Sequence, residues 1–207
     1  TRLLFTMPGT NRWQVFECNS DGSGLRQVTS SPHDDVDSFD ACYLPNGKII
    51  FCSTANYQSV PCYNGTRKVG GLYLLAADGK HVRQLTFDQD DDSYPAVMNN
   101  GRVMFTRWEY AGTPHYFTRL VFQMNPDGSG QEELYGSNSY WPNAVYGARS
   151  LPGQPSRFVG IVSGHHGDRR MGELVIFDPA TGRQEASGVV QRIPGWGRKV
   201  EPVIKDT

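Results

Sequence analysis

The chain has no apolar run approaching the roughly 18 residues that a membrane-spanning helix requires, which argues against a helical membrane span. It also lacks an excess of charge of either sign. Twenty Lys and Arg face 21 Asp and Glu, and no segment gathers the basic residues into a stripe that could grip nucleic-acid phosphates. Cysteine is scarce. Cys18, Cys42, Cys52 and Cys62 form neither Cys-x-x-Cys nor Cys-x-x-Cys-His, so zinc-finger and covalent-haem motifs are both missing. No Gly-rich loop opens a helix as a nucleotide fingerprint would, and Ser163 lacks the Gly-x-Ser-x-Gly elbow of a hydrolase nucleophile. Amphipathic helical spacing is absent too, because Gly, Pro, Asn and Asp interrupt the apolar runs every eight to ten residues or so. The first residues, Thr-Arg-Leu-Leu-Phe, show neither an initiator Met nor a signal-peptide pattern, so the chain reads as a processed or excised piece.

What is present is repetition. Asp21-Gly-Ser-Gly-Leu-Arg-Gln-Val-Thr29, Asp78-Gly-Lys-His-Val-Arg-Gln-Leu-Thr86 and Asp127-Gly-Ser-Gly-Gln-Glu-Glu-Leu-Tyr135 are copies of one element, and a degenerate fourth starts at Asp178. A second element keeps the same beat, around Asn46-Gly47, Asn100-Gly101 and Pro152-Gly153. A period of roughly 50 residues signals a repeat architecture. Within one period the Asn-Gly pair predicts a type I′ hairpin, since both central residues of that turn need positive φ. A third apolar run follows, such as "GLYLLAA", "RLVFQMN" or "GELVIFD", and an Asp-Gly turn leads into a fourth. Four short antiparallel strands per repeat make a propeller blade. The predicted fold is therefore all-β, a β-propeller. Residues 1 to 29 supply an incomplete blade, 38 to 86, 93 to 135 and 144 to 193 supply full ones, and 194 to 207 form a tail or the start of another. Propellers typically close with four to eight blades, so about four blades with one incomplete predict part of a ring.

The stretches "LRQVTSSPHDDVDSFDACYLPNGKIIFCST" (25 to 54) and "VRQLTFDQDDDSYPAVMNNGRVMFTR" (82 to 107) resemble the TolB-like propeller repeat. That family implies the fold and spans binding platforms, scaffolds and enzyme domains. The stretch from Gly160 to Trp196, with "CYLPNGKIIFCST" and "VPC" upstream, resembles the propeller-bearing middle region of the hydrazine synthase alpha subunit and its bacterial relatives. This resemblance implies an exported bacterial protein, periplasmic or extracellular, with c-type haem domains often elsewhere in the polypeptide. The chain departs from the active enzyme in having no Cys-x-x-Cys-His.

The candidate chemistry sits in "SGHHGDRRMGEL" (163 to 174), a loop between the second and third strands of the last blade. His165 and His166 beside Asp168 and Arg169 could bind a divalent metal, stand near haem, or serve as acid and base. They could equally bond loop backbone while Asp168 and Arg169 pair on the surface. His33, His81 and His115 could join only where loops converge. The long connection "WEYAGTPHYFTR" (108 to 119) is the second candidate, with Trp108, Tyr110 and His115 as ligand contacts. The acidic runs "HDDVDSFD" and "DQDDDSYP" occupy one phase of the repeat, where Asp side chains are expected to tie successive blades through backbone hydrogen bonds rather than to hold calcium. A Cys52 to Cys62 disulfide, closing "STANYQSVP", and buried free thiols both remain open, and a bridge would place the protein in an oxidising compartment. Two functions follow. One is a non-catalytic binding or scaffold domain presenting loops to a protein partner, another domain of the same polypeptide or a ligand. The other is a haem- or metal-dependent enzyme domain with His165 and His166 near its site.

Overall fold

The computed structural model describes the whole chain except residues 62, 63, 110 to 118, 137, 138, 165 to 171 and 194 to 207. Among the described residues every element of regular structure longer than one turn is a strand, and the chain divides into two compact units, Thr1–Pro95 and Ala96–Thr207. The first unit holds two antiparallel sheets. One has the order β1 (Arg2–Pro8), β2 (Trp13–Asn19), β3 (Arg26–Gln27), and the other β4 (Ser38–Tyr43), β5 (Ile49–Ser53), β6 (Gly71–Leu75), β7 (Val82–Gln84). The two sheets pack face to face. Val15, with Leu4, Val28, Ala41 and Tyr43 around it, meets Ile49, Phe51, Tyr73 and Leu75 of the second sheet, and the period-2 alternation of each strand selects those residues.

β8 (Asp91–Val97) carries the chain from the first unit into the second, where β9 (Val103–Trp108), β10 (Arg119–Met124), β11 (Glu132–Tyr135), β12 (Ala144–Ser150), β13 (Phe158–Ser163), β14 (Glu173–Phe177) and β15 (Val189–Ile193) follow. The strands run β8-β9-β10-β12-β13-β14-β15, with β11 also on β10. The strands of the third and fourth repeats thus join in one sheet. β10 reaches β12 through one parallel bridge, Arg119 to Ala144, because the Arg119 amide donates to the Asn143 carbonyl at 2.9 Å. The core of this unit packs Val121, Met104 and Tyr135 of the third repeat against Phe158, Val175 and Phe177 of the fourth.

The repeat residues hold equivalent positions by equivalent bonds. Thr29 Oγ1 accepts the Val15 amide and Thr86 Oγ1 accepts the Leu72 amide, both at 2.9 Å. The side-chain amides of Gln27 and Gln84 donate to the carbonyls of those same threonines at 2.6 and 2.7 Å. Asp21, Asp78 and Asp127 each accept the backbone amide two residues on, the turn chemistry that favours Asp there. Thr86 is 1% exposed, so Thr86→Val leaves the Leu72 amide buried without its acceptor. The expected loss is about 1–3 kcal/mol, read as a lower urea midpoint.

The Asn-Gly turns differ from the prediction. Only the glycines, Gly47 at φ 80° and Gly101 at φ 82°, are left-handed; Asn46 and Asn100 are not. Leu44 N donates to Lys48 O and Gly47 N to Leu44 O, and Met98, Gly101 and Arg102 repeat this pattern. These are three-residue loops, a turn closed by one left-handed glycine, rather than two-residue type I′ turns. The Asn side chains are used otherwise, accepting the amides of Lys48 and Arg102.

Candidate functional site: a pocket between the sheets of the first unit

β3 is only two residues long, so the first sheet stops short of covering the outer part of the second. A cavity of about 380 Å³ opens there. Phe51, Tyr73 and Leu75 form an apolar floor, Val28 to His33 of the connecting segment form one wall, and Tyr57, Gly79, Lys80 and Val82 stand along the rim. Apolar lining with a few polar groups is the composition of a small-molecule site. Ser30, Ser31, Ser38 and Ser53 add hydroxyls, His33 an imidazole and Lys80 an ammonium group.

The rim is built around Tyr57, whose φ of 55° is unusual for a bulky residue. Its hydroxyl donates to Asp35 Oδ1 at 3.0 Å, and the His33 ring meets its ring edge-on with centroids 5.9 Å apart. The Lys68 ammonium lies 3.9 Å from the centre of the same ring, pairs with the Asp35 carboxylate and donates to the Asp35 carbonyl at 3.0 Å. The hydrogen bonds from Lys68 and then Tyr57 hold the Asp35 carboxyl below its ordinary range, while desolvation and the Asp35 carboxylate push the Tyr57 phenol up. These bonds fix one edge of the pocket.

The acidic runs act at the junctions between sheets. Asp37 Oδ1 accepts the Trp13 amide at 3.0 Å, and Asp91 Oδ1 accepts the Gly70 amide at 2.9 Å. Trp13 and Gly70 occupy the same place in their repeats, two residues before the amides bound by Thr29 and Thr86. Among the described residues no three His, Cys, Asp or Glu side chains converge as metal ligands would.

His165, His166, Asp168, Arg169, Tyr110 and His115 lie outside the described residues. Trp108 is 1% exposed on β9, with the Arg119 guanidinium 4.3 Å from its ring. Cys52 is a free thiol without exposure, its pKa pushed up by burial, and Cys62, at the other end of the 53 to 61 loop, lies outside the described residues. The pocket itself was not visible in the sequence. The signal that points to it is the polar run Ser30-Ser31-Pro32-His33 directly after the short outer strand.

Comparison with known proteins places this geometry. No family model and no curated protein sequence matches the chain. Solved structures do. Hydrazine synthase of Kuenenia stuttgartiensis superposes with a TM-score of 0.62 at 15% identity over 86% of this chain, and a putative TolB from Agrobacterium tumefaciens with 0.63 at 14% identity over 87%. The chain is similar to the TolB-like β-propellers. A puromycin-hydrolysing peptidase of Mycobacterium tuberculosis follows, with a TM-score of 0.58 at 12% identity over 88% of this chain. At these identities the likeness is one of fold. The chain spans 29% of the hydrazine synthase chain, 58% of the TolB chain and 26% of the peptidase chain. No helix among the described residues is long and apolar enough to cross a membrane.

Proposed function

We propose that this chain is a non-catalytic binding or scaffold module, an incomplete propeller ring of about four blades, from an exported bacterial protein of the periplasm or cell exterior. It presents its first-unit pocket and its loops to a ligand or to a protein partner, including other domains of the same polypeptide. The pocket carries this reading: an aromatic and aliphatic floor suits the apolar body of a small organic molecule, and the serine hydroxyls, His33 and Lys80 suit a polar or anionic end. The export reading rests on the resemblance in sequence to hydrazine synthase relatives.

A thermal-shift screen with small aromatic and aliphatic carboxylates tests the pocket. A ligand present at about 100 times its Kd adds roughly 2.7 kcal/mol to the unit that binds it, so a shift of several degrees is expected. Ser31→Trp, which fills the cavity, should abolish that shift while leaving the far-UV spectrum unchanged. A shift that survives Ser31→Trp removes the pocket from the proposal. The enzyme reading has its own test, which is metal content and a Soret band in the purified protein, compared with the double variant His165→Ala, His166→Ala. Stoichiometric metal or haem lost in that variant replaces the scaffold by a cofactor-dependent enzyme.

A further inference from the structure

One kind of junction between repeats occurs in each unit, open in the first and filled in the second. The cavity of about 380 Å³ lies where the first repeat meets the second, and the third repeat packs on the fourth in the corresponding way. Position by position, the two junctions use different residues. Thr29 lines the cavity, and its counterpart in the copied element is Tyr135, which has no exposed surface. Ser38 and Ser53, paired across β4 and β5, stand where Val145 and Val162 pair across β12 and β13. Leu75 and its partner Val82 stand where Phe177 pairs with Val189. The turn that follows also differs. Ala76 N donates to His81 O and closes a short turn in the second repeat, whereas Asp178 N donates to Gly188 O and closes a longer one in the fourth.

These differences fill the second junction with aromatic rings. The Tyr135 ring lies 4.6 Å from that of Phe177, and the Trp141 ring, 6% exposed, lies 5.9 Å from it. The longer turn closes over both. The Glu185 carboxylate accepts the amides of Tyr140 and Trp141 at 2.7 and 3.1 Å, the Glu185 carbonyl accepts the Tyr135 hydroxyl at 2.6 Å, and the Gly188 amide donates to that hydroxyl at 3.1 Å. A phenol is thus held with its ring on the sheet and its oxygen at the turn. In the first unit Thr29 and the short turn leave the matching space above Leu75 open. Aromatic surface stands on the floor of that space instead: Phe51 and Tyr73, with ring centroids 5.9 Å apart, replace the Gly160 and Val175 pair of the fourth repeat.

We infer, resting on the reading of this pocket as a binding site, that it takes a free hydroxyaromatic molecule, a phenol. The ring sits against Phe51, Tyr73 and Leu75 as Tyr135 sits against Phe177, and the oxygen lies at the turn, where the Lys80 ammonium donates to it. A cavity of about 380 Å³ is at the low end of the range for small-molecule sites. Tilted and offset contacts with Phe51 and Tyr73 favour an aromatic ring over a saturated one of the same size. The lining runs from Val28 to Val82, between two consecutive repeats rather than at an end of the chain.

Titration of the full chain, isotope-labelled at its leucine and valine methyl groups, with p-cresol tests this. Methylcyclohexanol serves as the saturated counterpart and toluene as the one without a hydroxyl. The expected result is an upfield ring-current shift of the Leu75 methyl signals by p-cresol, with methylcyclohexanol binding about 3- to 10-fold more weakly and giving no such shift. Lys80→Met should weaken p-cresol binding by about 2- to 10-fold and leave that of toluene unchanged. Ser31→Trp, which fills the cavity, should remove the shift. Equal affinity for methylcyclohexanol, p-cresol binding unchanged in Lys80→Met, or binding of aliphatic carboxylates alone overturns the inference and leaves the pocket to another class of ligand. A wild-type protein that binds neither p-cresol, toluene nor any carboxylate loses the pocket as a site, and this inference with it. A p-cresol shift that survives Ser31→Trp places the phenol elsewhere and overturns the inference equally.

Discussion

Phe177→Ala should remove about 3–5 kcal/mol from the stability of the second unit, the range for deleting a large aromatic from a close-packed core. Phe177 has no exposed surface. Its ring centroid lies 4.6 Å from that of Tyr135, 5.0 Å from that of Phe158 and 5.9 Å from that of Trp141. The group is rigid on two sides, so it cannot collapse to fill the space. Tyr135 donates its hydroxyl to the Glu185 carbonyl at 2.6 Å and accepts the Gly188 amide at 3.1 Å, which ties the ring to the loop before β15. Burial pushes that phenol's pKa up, as expected of a hydroxyl kept neutral among apolar groups. Urea unfolding followed by tryptophan emission reads the effect. Phe177→Leu should keep more than half of the lost stability, because most of the volume remains. A loss below about 1 kcal/mol for the alanine variant would mean that the site relaxes and that the cluster is not the centre of this unit.

The same core explains how much of the molecule could be read from the sequence. Strand β2 is the run "WQVFECN", because alternating apolar residues between turn signals leave little choice. The Asp-Gly turns were legible because each acts locally, through a carboxylate that accepts the backbone amide two residues on. The Asn-Gly loops were misjudged in type because the extra residue before each, Pro45 or Asn99, is accommodated by one left-handed glycine instead of two left-handed positions. The start of β8 inside the acidic run depends on Asp91 and Asp92 bonding Gly70 of the preceding sheet, which no local pattern reveals. The pocket follows from a difference in length between β3 and the strands facing it, a property of two packed sheets rather than of either one. Trp108 and Phe51 carry no local mark that separates an interior ring from a pocket floor, and only the packed faces decide between them.

At the junction of the first two sheets the decisive group is a buried carboxylate, and its removal should be felt in a pH-dependent way. Glu17 is 4% exposed on β2. It accepts from Arg26 Nε at 2.6 Å, from Arg2 at 3.1 Å and from the Tyr43 hydroxyl on β4, so it joins one sheet to the other. Burial alone would raise its pKa, but the Tyr43 hydrogen bond and the two guanidinium groups outweigh burial and hold it below the ordinary 4.5. On the other side of that bond Tyr43 is pushed up to about 12, by burial first and then by the Glu17 carboxylate. A depressed carboxyl pKa adds stability that is complete above the unfolded value near 4.5 and is lost as pH falls through the lower folded value. A raised phenol pKa adds stability that is complete below the unfolded value of 10 and is lost as pH rises through about 12. Glu17→Gln should therefore cost about 1–3 kcal/mol at pH 7, the lower part being favoured because both arginine side chains are 56% exposed and solvent screens their share. Tyr43→Phe should cost about 1 kcal/mol, since it removes one hydrogen bond to a charged acceptor that retains its arginines. The distinguishing result is the difference in urea midpoint between wild type and Glu17→Gln as a function of pH. It should stay level from pH 8 to about 5 and shrink below 4.5, because the wild-type carboxylate then becomes protonated and loses the advantage that glutamine never had. A difference that stays constant down to pH 3 would show that Glu17 acts through shape and neutral hydrogen bonding, and that the junction is held by the apolar contacts of Val15 with Tyr73 and Leu75 instead.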